Sequence, residues 1–171
     1  IFKTTVRGYS FTFPCSDIST VKDEIKLYLE AKVDNKFNRY HILKLGLFLH
    51  DAGKPGSKTT DSTGRVHFKG HEVIGEKIGE EIATNLNLSL MAKELCKYIR
   101  NHMILLVLYK TDDMSKERLF KIFDELGDDT IGIMLLGYAD IVATRKLLNP
   151  NEDMGVIKTY MEYVLTNYIY K

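Results

Sequence analysis

From Tyr40 to Asp51 the chain reads Tyr-His-Ile-Leu-Lys-Leu-Gly-Leu-Phe-Leu-His-Asp, apolar around almost the whole circumference of a helix. A helix of that kind belongs in a core, because it would otherwise show apolar side chains to water on every side. Gly53 and Pro55 stop it, directly after an imidazole and a carboxylate, His50 and Asp51. A chain that ends its most apolar helix on such a pair must supply partners for it. A polar or charged group taken out of water is tolerated only when it is hydrogen-bonded, paired or bound to a metal.

The helical period continues on both sides of this segment. Thr20-x-x-Asp23 reads as a capping box for a helix with Val21, Ile25, Tyr28 and Leu29 on one face. A third helix starts near His71 and buries Val73, Ile74, Ile78 and Ile82. Gly75 and Gly79, one turn apart on it, leave room for a neighbouring helix. Ser89 opens a fourth helix through about Leu108, and Ser115 a fifth through Leu126. A sixth runs from about Asp129 to Leu148 and stops at Asn149-Pro150, and the last runs from about Glu152 onward.

Residues 1–14 differ. Tyr9, Phe11 and Phe13 alternate with Ser10 and Thr12, which suits a short strand or extended arm; Gly8 is a candidate turn after Phe2–Val6, and Pro14 ends the segment. The expected architecture is all-α, a bundle of six or seven helices with a short extended N-terminal arm. It forms one domain over 1–171, with the arm at 1–14 and the bundle at 15–171. A chain of this length buries roughly 70% of its unfolded surface and needs no staples. It begins at Ile1 rather than Met, and we expect it to be a module of a longer parent protein.

Composition narrows the function only coarsely. The formal net charge is +1, so global charge announces no nucleic-acid binder, although a local basic patch is allowed. Cys15 and Cys96 match no metal-binding spacing and read as reduced thiols of a cytoplasmic protein. The longest strongly apolar run, Met103 to Tyr109, is far short of a membrane span, and nothing resembles a signal peptide.

Five residues carry candidate chemistry: His50, Asp51, His71, His102 and Asp140. Asp140 has apolar neighbours on both sides, with Arg145 close enough in sequence to serve as its partner. His102 lies at the edge of another apolar run, and His71 begins a helix. A single buried histidine is more often a satisfied core residue than a ligand. The vicinal His-Asp pair is different, because both side chains can reach one ion at a helix end. Imidazole and carboxylate together suit a divalent ion such as Mn, Fe, Ni or Zn, and the carboxylates tolerate Mg. Such an ion activates water near neutral pH or polarises a phosphoryl oxygen.

The segment Leu47-Phe-Leu-His-Asp-Ala-Gly-Lys-Pro55 resembles the signature of the HD superfamily of metal-dependent phosphohydrolases. Gly64-Arg-Val-His-Phe-Lys-Gly-His-Glu72 is similar to the glycine-rich, arginine-containing stretch of one branch, the HD domain attached to bacterial tRNA nucleotidyltransferases and poly(A)-polymerase-like enzymes. Ile99-Arg-Asn-His-Met103 and Ala139-Asp140 follow in family order, so the resemblance spans residues 42–145. It implies an HD-type all-α bundle, with His50 and Asp51 as central metal ligands and Asp140 as the distal carboxylate. His71 and His102 join in members with two metals, and Lys54 lies by the substrate phosphate. The implied chemistry is hydrolysis of phosphomonoesters or phosphodiesters on nucleotides or RNA ends. Asp51 and Lys54 are then the catalytic pair, and tRNA is met through the parent protein.

The chain departs from the family pattern in two places. Residues 1–40 contain no histidine, where the family supplies a further ligand, and His41 lies about 180° round the helix from His50. No Gly-Ser loop followed by Asp-x-Asp is present, so this chain does not itself add nucleotides. Residues 52–70 read as a long loop rich in Gly, Lys, Ser and Thr. Lys54, Lys58, Arg65, His67 and Lys69 cluster there, and of these Lys54, Arg65 and Lys69 are the candidate contacts to a substrate phosphate. Three readings follow: an active metal-dependent phosphohydrolase, a degenerate HD module with a structural or RNA-contacting role, and a nucleotide-sensing domain without turnover.

Overall fold

A computed structural model describes residues 2–6, 9–13 and 18–171, with side chains from Val21 onward. Phe2–Val6 (β1) and Tyr9–Phe13 (β2) pair antiparallel, with Phe2 opposite Phe13 and Val6 opposite Tyr9, so the expected arm is a hairpin. Gly8, Pro14 and Cys15 lie outside the described residues. All seven helical stretches read from the sequence are helical, and among the described residues the fold is all-α apart from two short antiparallel strand pairs. The first helix, α1 (Ile18–Glu30), already includes Thr20, so Thr20 does not cap it as expected.

The chain forms two compact units, one of Ala31–Met103 and one of Ile1–Glu30 with Ile104–Lys171. The first unit opens with a turn in which Asp34 Oδ1 accepts from the backbone N–H groups of Lys36 and Phe37, both at 2.7 Å. Asn38 then caps α2 (Arg39–Leu49), its side chain accepting from His41 N, while the His41 ring accepts from Asn38 N. His41 is thereby occupied at the start of the helix, away from its His-Asp end.

α2 buries Ile42, Leu43, Gly46 and Leu49 against α5 (Ser89–Asn101), to which Arg39 also ties it through a 2.9 Å ion pair with Glu94. It is not a core helix on all sides, as its composition led us to expect. Tyr40, Lys44 and Phe48 face solvent, Phe48 at 83% exposure.

The segment expected to be an irregular loop has structure of its own. Lys54–Ser57 forms one helical turn (α3), and Thr59–Thr60 (β3) pairs with Val66–His67 (β4). Asp61 holds that hairpin together. Its Oδ1 accepts from the Thr63 N–H at 2.9 Å, the Thr63 hydroxyl at 2.7 Å and the Arg65 N–H at 3.0 Å, and its Oδ2 lies 2.8 Å from His67 Nε2. These bonds hold the Asp61 carboxyl well below the usual carboxylate range, the His67 contact first among them.

Gly70 follows at φ 77°, a left-handed conformation that a side chain would strain, and its turn starts α4 (His71–Asn85). α4 packs on α5 through His71, Gly75, Gly79 and Ala83, and not through its Val and Ile face, which stays half-buried. The glycines permit this. A Cβ at Gly75 would lie 3.1 Å from Ile99 Cγ2, and one at Gly79 2.6 Å from Ile99 Cδ1.

The second unit contains α6 (Ile104–Thr111), α7 (Lys116–Leu126), α8 (Thr130–Leu148) and α9 (Gly155–Ile169). Ser115 caps α7 as its sequence position suggests. The expected fourth helix is two helices, because the chain turns at His102-Met103. Ile133, Met134 and Leu136 of α8 are buried, as are Leu105 and Leu108 of α6 and Val164 and Leu165 of α9. Arg145 pairs with Glu152 at 2.7 Å and stacks 5.0 Å over the Tyr109 ring. Asp140 is half-buried rather than enclosed in the core, and accepts from the Thr144 hydroxyl at 3.4 Å.

One glycine seats the His-Asp segment on α4. Gly53 has an ordinary helical φ of -79°, so conformational freedom is not what it provides. A Cβ there would lie 2.0 Å from the His71 carbonyl oxygen and 2.5 Å from Gly75 N, both backbone atoms that cannot swing aside. Gly53→Ala is therefore expected to cost about 3 kcal/mol or more, at the upper end of overpacking, as a lowered midpoint in urea unfolding. At Gly56 the added Cβ would meet only Ile74 side-chain atoms, the nearest at 3.4 Å. Gly56→Ala should stay within about 1 kcal/mol of the wild type, the difference in helix propensity. Equal losses for the two variants would remove the close approach as the reason for Gly53.

Candidate metal centre

Three helix ends in the Ala31–Met103 unit each carry one histidine. His50 caps the C-terminus of α2, His71 is the first residue of α4, and His102 caps the C-terminus of α5. Each ring is fixed in the same way. His50 Nδ1 lies 2.8 Å from the Leu47 carbonyl oxygen, His71 Nδ1 2.8 Å from that of Phe68, and His102 Nδ1 2.7 Å from that of Ile99. A carbonyl only accepts, so every Nδ1 must carry the hydrogen. In the neutral ring that leaves Nε2 as the atom with the lone pair.

Those Nε2 atoms converge. His71 Nε2 and His102 Nε2 are 3.2 Å apart, and the His50 and His102 rings meet edge to face at 5.1 Å. At that distance two lone pairs repel, so a proton on one Nε2 or a metal cation beside both must lie with them. Asp51 completes the group, with Oδ1 3.5 Å from His71 Nε2 and Oδ2 3.4 Å from His50 Nε2. Ligand atoms of Asp51, His71 and His102 all lie within 4.8 Å of one another. The donor set suits a divalent ion, since imidazole and carboxylate match first-row metals and the carbonyl bonds already orient the rings. His71 and His102 are almost fully buried, at 6% and 1% exposure, so the centre is shielded on that side.

Lys54, one helical turn beyond Asp51, places its ammonium 2.5 Å from Asp51 Oδ2 and 5.8 Å from the Phe68 ring centre. Burial pushes the Asp51 carboxyl up. The hydrogen bonds and positive charge of a His50 ring protonated in the metal-free protein and of Lys54 outweigh it and hold the group well below the usual carboxylate range. Asp51 thus favours the ionised form that a metal ligand needs.

The structure brings together His50, Asp51, Lys54, His71 and His102. Arg65 and Lys69 are exposed, on the β3–β4 turn and just before α4, and Asp140 belongs to α8 in the other unit. The sequence did not reveal the three backbone carbonyls that set the imidazoles. The only signal for them is that each lies three residues before a histidine, which any residue type could satisfy.

The HD domain family model matches residues 26–127, more than half of the chain. An A-adding tRNA nucleotidyltransferase of Deinococcus radiodurans is 32% identical over 96 residues. That match covers 55% of this chain and 21% of the relative, so the chain spans only about a fifth of the relative's length. The His-Asp helix end, the histidines beside it and the all-α fold agree with this match: the chain belongs to the HD domain family.

Proposed function

We propose that the chain is a metal-dependent phosphohydrolase acting on nucleotide or RNA-end phosphates. The observation that carries the reading is the shared orientation of His50, His71 and His102, each with Nδ1 committed to a carbonyl and Nε2 directed toward Asp51. Nothing in an ordinary core requires three imidazoles to turn Nε2 toward one carboxylate. A divalent ion bound there supplies Lewis acidity and a water of lowered pKa.

The protein's own residues do the rest. Asp51 and the histidines hold the ion, and Lys54 neutralises a substrate phosphate from the rim. Arg65 and Lys69 add positive charge for the approach of an anion, and the buried His71–His102 side keeps bulk water from the centre. The family resemblance assigns Asp140 as a further carboxylate ligand. The relative's printed activity on tRNA favours an RNA end over a free metabolite as the substrate. A degenerate module without catalysis is the second reading, favoured by the absence of histidine from residues 1–40.

Two experiments separate the readings. Calorimetric titration of Mn²⁺ should show binding to the wild type that Asp51→Ala abolishes and His102→Ala weakens by more than about tenfold, the least that losing even a group behind a ligand costs, with helicity by circular dichroism unchanged. Absence of binding in the wild type would favour the degenerate module. Retained binding in Asp51→Ala would put the metal elsewhere.

Lys54→Ala should leave Mn²⁺ affinity unchanged or raise it, since its ammonium no longer shares Asp51. Its KM for a 2′,3′-cyclic nucleotide should rise about ten- to a hundredfold, the range for a charged hydrogen bond. A lowered kcat with KM unchanged would remove Lys54 from phosphate binding.

A further inference from the structure

We propose that the exposed face of α2, carrying Tyr40, Lys44 and Phe48, is a stacking strip for single-stranded RNA leading into the metal centre. The inference deepens the hydrolase reading and rests on it for the position of the RNA end. The three residues are four apart, so they form one row along the helix. The row spans roughly 12 Å of axis at about 1.5 Å per residue, and its last member is three residues from Asp51.

The opposite face of α2 is filled. Ile42, Leu43, Gly46 and Leu49 are buried, yet Tyr40 is 48% exposed and Phe48 83%. Lys44 Nζ lies 5.3 Å over the Tyr40 ring, which places a cation beside an aromatic surface in the middle of the row. Lys54 over Phe68 repeats the pairing at the centre itself. Alternating rings and cations are what a single strand needs, because bases stack on rings whatever their sequence and phosphates follow the positive charge.

Charge separates RNA from other occupants of this face. Residues 31–103 hold twelve Lys and Arg against eight Asp and Glu, whereas the rest of the chain holds twelve against fifteen. The near-neutral total therefore hides a basic unit. Between Lys44 and Lys69 there are five cationic residues and two acidic ones, and both acids are engaged, Asp51 by Lys54 and Asp61 by His67. A second copy of this chain would bring the same positive surface to the row, and a duplex would keep its base faces from the rings. A single-stranded polyanion satisfies both demands.

The test is fluorescence anisotropy of a short labelled oligo(A) RNA titrated with the full chain in EDTA. The wild type should bind. Phe48→Ala and Tyr40→Ala should each weaken binding by about tenfold, the lower range for loss of a stacked base, and Phe48→Trp should restore it. Lys44→Gln should lower the slope of log affinity against log salt by about 0.7, one single-strand phosphate contact.

Binding unchanged in all three variants overturns the proposal. So does no binding by the wild type, or equal competition by a duplex of the same length. Loss of self-association in sedimentation by Phe48→Ala, with RNA affinity intact, would assign the face to a second copy and also overturn it. Because EDTA excludes turnover, failure here leaves the hydrolase reading standing, and failure of hydrolysis leaves the binding result readable.

Discussion

The hydrogen bond from each histidine Nδ1 to the carbonyl three residues before it is the constraint on which the centre depends. An imidazole has two nitrogens and can direct either one at a ligand. Fixing one on the backbone removes that freedom and leaves only Nε2 for the site. The Leu47 and Ile99 carbonyls are available because His50 and His102 sit at helix C-termini, where the last carbonyls lack intrahelical partners, and the Phe68 carbonyl lies in the turn just before α4. The chain turns at His102 instead of continuing through Leu108, and this turn places the third ring. The break is therefore part of how the centre is built and not an imperfection in a longer helix.

Helix packing and metal chemistry meet in Ile99. Its side chain fills the space left by Gly75 and Gly79, which sets the approach of α5 to α4. Its carbonyl holds the His102 ring. Gly53 does the same for the other side of the site, since its missing Cβ lets the segment after His50-Asp51 rest on the His71 carbonyl and Gly75 N. The spacing between the histidines is thus set by backbone contact, where small changes in volume are costly. Flexible side chains alone would not hold two Nε2 atoms 3.2 Å apart.

Much of this was legible in the sequence. The His50-Asp51 pair at the end of an apolar helix, the start of α4 at His71, the Ser115 cap and the close approach of Gly75 and Gly79 all follow from residue type and spacing. What could not be read has a physical cause in each case. A run such as Ile42 to Leu49 is apolar on every face, so periodicity does not say which side is buried, and Phe48 turned out to face water. Hydrophobicity pointed to Val73, Ile74, Ile78 and Ile82 as the contact face of α4, but small residues permitted a closer approach on the other face. Asp140 was expected to be buried because its neighbours are apolar. On α8 those neighbours point to several sides, and Asp140 itself is only half-buried.

Lys54 explains how such a cluster remains folded. Half-burial alone would favour a neutral Asp51, and a neutral carboxyl is a poor ligand. The Lys54 ammonium and the His50 ring hold Asp51 ionised in the absence of an ion, so the ligand charge does not have to be created when a metal arrives. The cost is competition, because an incoming ion shares Asp51 Oδ2 with an ammonium 2.5 Å away. Lys54 sits on the one-turn helix α3 and is not locked in a core. Its long side chain can turn from the carboxylate toward a phosphate once another cation takes over that charge. Under the proposed function the same residue both stabilises the metal-free protein and recognises the anion, a double role that suits a lysine, with its mobile point charge, better than a forked arginine.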